Sequence, residues 1–177
     1  MCSSDLQLRG FQPQGVDLIV HGNVPQGAGL SSSAALEVAA AVLLNKLHRW
    51  NVDAVELVKL AQAAENEFVG VATGIMDQFV SMLGAADHAL CLDCRSLEYE
   101  LIALPFDQQD YAVAVMNSMV KRGLVDSEYN TRRQQCEDAV RLLQEKLPGI
   151  TSLRDVTSEN LSLINELPTA LGKRARH

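Results

Sequence analysis

The residues best able to do chemistry stand in one short stretch, Pro25-Gln26-Gly27-Ala28-Gly29-Leu30-Ser31-Ser32-Ser33-Ala34-Ala35. Gly27 and Gly29 let the backbone turn tightly and approach a ligand closely. Ser31, Ser32 and Ser33 offer hydroxyl donors for phosphate oxygens and lone pairs for a hard cation. The apolar run from Val16 to Val20 ahead of the stretch reads as a strand. Ala34 to Leu47 behind it reads as a helix, apolar almost all round and therefore sandwiched between neighbours. A strand, a glycine turn and a helix make an anion site. The first-turn N–H groups are unpaired, and the positive end of the helix dipole lies behind them.

The P-loop pattern does not fit, because the loop has no lysine and no Lys or Arg occurs from Gly10 to Asn45. A helix terminus supplies only about half a positive charge against the several negative charges of a nucleoside triphosphate. A phosphate bound here would need a divalent metal, with acids elsewhere to hold it. The same residues also spell a serine-capped helix after a glycine turn, and the stretch alone does not choose between the two.

Two acids outside the loop stand out. Asp53 and Glu56 resemble a capping box that opens a helix running to about Phe68 and ending at Gly70. Leu57, Ala61, Ala64 and Phe68 form its inner stripe. Glu65 falls at the edge of that stripe, where a carboxylate can lean into a cleft or simply meet solvent. In the next short helix, Ile75 to Leu83, Ile75, Phe79, Met82 and Leu83 share one face, and Asp77 falls roughly opposite. Spacing alone favours a surface position for Asp77.

The elements that must position these groups occupy a chain of 177 residues, 47% hydrophobic and 5% aromatic, which suits an ordinary core rich in Leu, Val and Ala. A net charge of -7 argues against nucleic acid or an anionic membrane as partner. No apolar stretch reaches membrane-spanning length and the first ten residues lack a signal-peptide core, so the expected location is the cytoplasm. Cys91-Leu92-Asp93-Cys94 is a lone CxxC, read as buried reduced thiols. Ala89 to Asp93 and Tyr99 to Leu104 read as strands joined near Arg95-Ser96. A domain boundary is expected in the break after Pro105, giving domains at 7–105 and 106–177, the second opening on a central strand, Tyr111 to Met116. A helix from Ser127 to Leu147 follows, with Cys136, Val140 and Leu143 as its stripe, and Tyr129 is open to reading as first-turn core. Two further helices are expected around Leu167-Pro168. Both ends look cut. Residues 1–6 are expected to be a non-native leader, matching what a common sequencing adapter encodes, and the last residues stop on a helix without a C-cap.

Pro25-x-x-x-Gly29-Leu-Ser-Ser-Ser-Ala-Ala resembles the phosphate-binding motif of the galactokinase/homoserine kinase/mevalonate kinase superfamily. Gly22 to Ala28, Ala64 to Gly70, Gly74 to Gln78, Asp93 to Leu97 and Ser127 to Arg133 are similar to galactokinases in particular, in the same order. The resemblance implies a two-domain α/β (α+β) kinase with ATP as co-substrate and Mg2+ as cofactor. It assigns Gly27, Ala28, Gly29, Leu30, Ser31, Ser32 and Ser33 to the ATP phosphates, and Ser33 with Glu65 to the metal. It makes Asp77 the catalytic residue acting on the anomeric hydroxyl of galactose, with Tyr129 as a further sugar contact. The expected product is galactose 1-phosphate, and the family is often monomeric.

Galactokinases are roughly twice this length, and their amino-terminal arginine and Glu-His-x-Asp run and carboxy-terminal glycine-rich motif have no counterpart here. The expectation is therefore a central slice of such an enzyme, inactive alone. The rival readings are an N-acetylgalactosamine kinase of the same branch and a non-catalytic ATP- and sugar-binding sensor. The intact run Ser31 to Ala35 favours a kinase over the sensor.

Overall fold

Helices form in this chain wherever a segment can bury one face, and strands only where two segments meet. The computed structural model describes residues 7, 10–12, 14–106, 112–119 and 129–177. The expected leader at 1–6, Tyr111, and the helix start at Ser127 and Glu128 lie outside these. The chain divides into two units, Met1–Val125 and Asp126–His177.

In the first unit, α1 (Ser32–His48), α2 (Ala54–Ala63) and α3 (Met76–Leu83) pack on one another. Ala41 and Leu44 of α1 meet Leu57 and Leu60 of α2, with Trp50 and Phe11 at the margin. Val58 of α2 meets Ile75 and Phe79 at α3, and Leu90 and Leu92 cover them. Asp53 caps α2, its carboxylate accepting from Val55 N (3.0 Å) and Glu56 N (3.1 Å), as the sequence pattern predicts. Glu56 itself pairs with Lys59 at 2.6 Å. The α1–α2 connection is pinned by the Asn45 amide, which donates to Val52 O (3.0 Å) and accepts from Val52 N (3.1 Å).

A π-helical turn, Ala64–Val69, continues α2 to Gly70, whose φ of 80° ends it. Each π turn carries an extra residue and so breaks the 3.6-residue phase. Leu57, Ala61 and Ala64 are buried as expected, but Phe68 is rotated outward and is 60% exposed.

β1 (His88–Leu92) and β2 (Tyr99–Ala103) form an antiparallel hairpin with Leu90 opposite Leu101. Its turn is built on Asp93, whose carboxylate accepts from Arg95 N (2.8 Å) and Ser96 N (3.2 Å). Cys91 and Cys94 are exposed, contrary to the buried thiols expected. Strand alternation turns Leu90 and Leu92 inward and Cys91 out.

Two expected strands are absent. Residues 16–20 and 112–116 form no ladder, and the sheet of the described residues has only β1 and β2. Both segments stand exposed. A strand is defined by hydrogen bonds to a neighbour, and these residues have no neighbouring strand among the described residues. The expected sandwiching of the first helix also fails. It buries Ala34, Glu37, Val38, Ala41 and Leu44, while Leu36, Leu43 and Leu47 face out.

In the second unit, α4 (Tyr129–Gln144) packs on α6 (Thr169–Arg176), with α5 (Leu161–Ile164) between them in sequence. Ala139, Leu143, Ile150 and Ile164 are its buried residues. Cys136 and Val140 are only partly buried, so the inner stripe runs through Ala139 and Leu143. Ser152 and Asp155 form a reciprocal capping box at the turn Leu153–Asp155.

Candidate active site

The glycine turn ahead of α1 has positive φ at every second residue: 69° at Gly27, 75° at Gly29 and 58° at Ser31. Alternation of this kind points successive N–H groups into one concavity, which suits an anion. Glycine takes this conformation freely, whereas Ser31 carries a Cβ and pays on the order of 1 kcal/mol for it. The helix begins at Ser32, two residues before the sequence-based estimate, and the Ser31 side chain caps nothing. The first-turn N–H groups are therefore not covered by a cap, against the serine-capped alternative.

Ser33, one residue into α1, donates its hydroxyl to Glu65 Oε1 at 3.0 Å, across 32 residues of sequence. Glu65 is 4% exposed, not a solvated flank. The π turn sets both Ala64 and Glu65 inward. Glu65 Oε2 accepts two further bonds, from Thr73 Oγ1 (2.8 Å) and from Gln78 Nε2 (2.8 Å). The Thr73 carbonyl is held by Gln62 Nε2 (3.1 Å) and Asn66 Nδ2 (3.4 Å), which fixes the loop 70–74 against α2 and the π turn.

Gln78 also donates to Glu37 Oε2 at 3.3 Å. Glu37, one helical turn after Ser33, is buried. Burial and then the nearby Glu65 carboxylate push its pKa up to about 7, and the hydrogen bond from Gln78 partly offsets them.

Asp77 stands beside Gln78 in the first turn of α3, half-buried. Among the described residues its carboxylate has no hydrogen-bond or ion-pair partner. Tyr129 opens α4 in the second unit and is 45% exposed, so it is not first-turn core.

A divalent cation fits the Ser33–Glu65 pair. Mg2+ with oxygens at about 2.1 Å in an octahedron sets adjacent ligands about 3.0 Å apart, and the two oxygens already stand 3.0 Å apart. Both are hard donors. Among the described residues no group of three or more His, Cys, Asp or Glu could hold a metal. An ion here would thus complete its shell with phosphate and water, as Mg2+ commonly does.

Residues 3–85 match the family model for the GHMP kinases N terminal domain. Residues 3–85 thus belong to a GHMP-kinase N-terminal domain. Lactococcus lactis galactokinase, in a crystal structure of its complex with galactose, superposes with a TM-score of 0.88 at 35% sequence identity. The match covers 99% of this chain and 45% of that one, so the chain spans less than half the length of the galactokinase.

The fold brings Ser33 and Glu65 together across 32 residues, a meeting that residue spacing alone did not foretell. Glu37, Thr73 and Gln78 were missed by the sequence reading. Two of them left a signal. Glu37 lies four residues after Ser33 and so shares its helix face, and Gln78 lies among Ile75, Phe79 and Met82 on the inward face of α3. A polar residue on an apolar face asks for a partner. Thr73 sits in a loop without periodicity and left none.

No helix of the described residues is long and apolar enough to cross a membrane.

Proposed function

We propose that this domain serves a kinase that transfers the γ-phosphoryl group of ATP to the anomeric C1 hydroxyl of galactose, releasing ADP. The observation that carries the reading is the Ser33–Glu65 pair, 3.0 Å apart beside the glycine turn of a GHMP-kinase domain. The likeness to a galactokinase crystallised with galactose supports the choice of sugar.

In this reading the backbone from Gly27 to Ser33 binds phosphate oxygens. Ser33 and Glu65 would hold Mg2+, which when bound draws negative charge from the transferring phosphoryl group. Asp77 accepts the proton of the sugar hydroxyl as its oxygen bonds to phosphorus and the bond to the β-phosphate oxygen breaks. The partnerless carboxylate of Asp77 supports this role, because nothing in the described protein competes for it. Tyr129 contacts the sugar. The domains divide at 7–105 and 106–177, and the enzyme works on small molecules in the cytoplasm. The 177 residues alone do not turn over, a reading supported by the exposed apolar segments at 16–20 and 112–116.

The test recovers the flanking nucleotide sequence and expresses the full reading frame beside the 177-residue chain. ATP-dependent phosphorylation of galactose is then assayed with and without Asp77→Asn. The expected result is activity in the longer protein, lowered about 100-fold or more by Asp77→Asn, and none in the short chain. Binding of ATP and sugar without turnover in the longer protein would replace the kinase with a sensor.

A further inference from the structure

The Glu65 carboxylate is held through both of its oxygens. Its Oε2 takes the Thr73 hydroxyl and the Gln78 amide, each at 2.8 Å, while Oε1 meets Ser33 at 3.0 Å. Gln78 has no exposed surface, and both protons of its amide nitrogen are spent on carboxylates, Glu65 Oε2 and Glu37 Oε2. The Glu65 carboxylate only accepts, so the amide must present nitrogen to it, which fixes its orientation. Its Oε1 is then turned into the interior, where it meets no donor among the described residues. A buried acceptor without a donor costs stability. A Gln that served packing alone would be better replaced by an apolar side chain of the same length.

We propose that Gln78 is a positioning residue for the cation site, its shared amide tying Glu65 to Glu37 of α1 so that Glu65 keeps Oε1 beside Ser33. The role rests on the reading of Ser33 and Glu65 as the pair that holds the cation. Three elements converge on one carboxylate: α1 through Ser33 and Glu37, the loop through Thr73, and α3 through Gln78. Without the amide, Glu65 Oε2 keeps only the Thr73 hydroxyl, and that hydroxyl has a competing acceptor in Asn66 Oδ1 at 3.1 Å. The carboxylate can then rotate away from Ser33. Outer partners of this kind change metal affinity by about 10- to 100-fold when removed.

The experiment titrates the 177-residue protein with Mn2+, alone and with inorganic phosphate present, and reads free Mn2+ by electron paramagnetic resonance, with thermal melting by circular dichroism in parallel. Gln78→Met keeps the side-chain length and removes the donor. It is expected to weaken Mn2+ binding about 10- to 100-fold while the melting midpoint holds or rises. Gln78→Asn keeps the amide but draws it back by one methylene, and it gives the same loss should Gln78→Met fail to fold. Wild-type Mn2+ affinity in a folded Gln78 variant, with only the melting midpoint lowered, assigns Gln78 to the core and overturns the proposal. Absence of Mn2+ binding by the wild type, both alone and with inorganic phosphate present, with unchanged melting, overturns the cation-site reading itself and the role of Gln78 with it.

Discussion

Within the first unit, the Glu65 cluster and the segment at 16–20 invert the usual rule for polar and apolar groups. The cluster buries two carboxylates and a primary amide, at 6% exposure for Glu37, 4% for Glu65 and 0% for Gln78. The segment leaves Ile19 fully open at 100%. Residues 112–119 repeat the pattern, with Met116 at 92%. Helices account for the first behaviour. They satisfy their own backbone, so three of them can pack and hold a few polar side chains in fixed directions. A strand cannot satisfy itself, so an apolar run without a neighbour stays outside however hydrophobic it is. Burial in this protein follows from which backbones are satisfied, and hydropathy comes second.

Stability measurements sharpen the contrast. Phe79 is fully buried between Val58 and Ile75 and meets the edge of Tyr99 at 5.4 Å between ring centroids. Phe79→Ala should cost about 3–5 kcal/mol in urea unfolding. A cost under about 1 kcal/mol would mean that the helical cluster is not the packed centre of the unit.

The polar cluster should show itself in pH dependence. An unfolded Glu37 loses its proton near 4.5, while the folded one keeps it to about 7. Across that window the native state binds the extra proton. Stability is therefore full below pH 4.5, falls as pH rises to about 7, and levels off above. The loss should approach about 3 kcal/mol, and Glu37→Gln should flatten it. A wild-type profile level from pH 5 to 8 would remove the buried-acid description of Glu37.

The smallest effect belongs to the apolar segments. Ile19→Lys and Met116→Lys should each change unfolding free energy by less than about 0.5 kcal/mol and reduce self-association in sedimentation, because exposed apolar edges invite pairing. A loss as large as that of Phe79→Ala would erase the distinction between the two regions.

Much of the site was legible because its parts are local. The glycine turn, the serine run and the Asp53 cap depend on neighbours within a few residues, and each appears where the pattern puts it. Glu65 was legible only as an acid at the edge of a stripe. The π turn that buries it and expels Phe68 depends on packing, and no periodicity announces it. The exposed thiols of Cys91 and Cys94 were misread because hydropathy does not say which face of a hairpin meets the core.

The sequence by itself determined the main helices, the Asp53 cap and the glycine turn before α1, since short-range backbone hydrogen bonds and glycine torsions set these. Only the tertiary structure decided that Ser33 and Glu65, 32 residues apart, would meet at 3.0 Å, and that Gln78 would bridge Glu65 to Glu37. Those contacts depend on three helices crossing at one place, and a crossing is a property of packed surfaces that no single segment encodes.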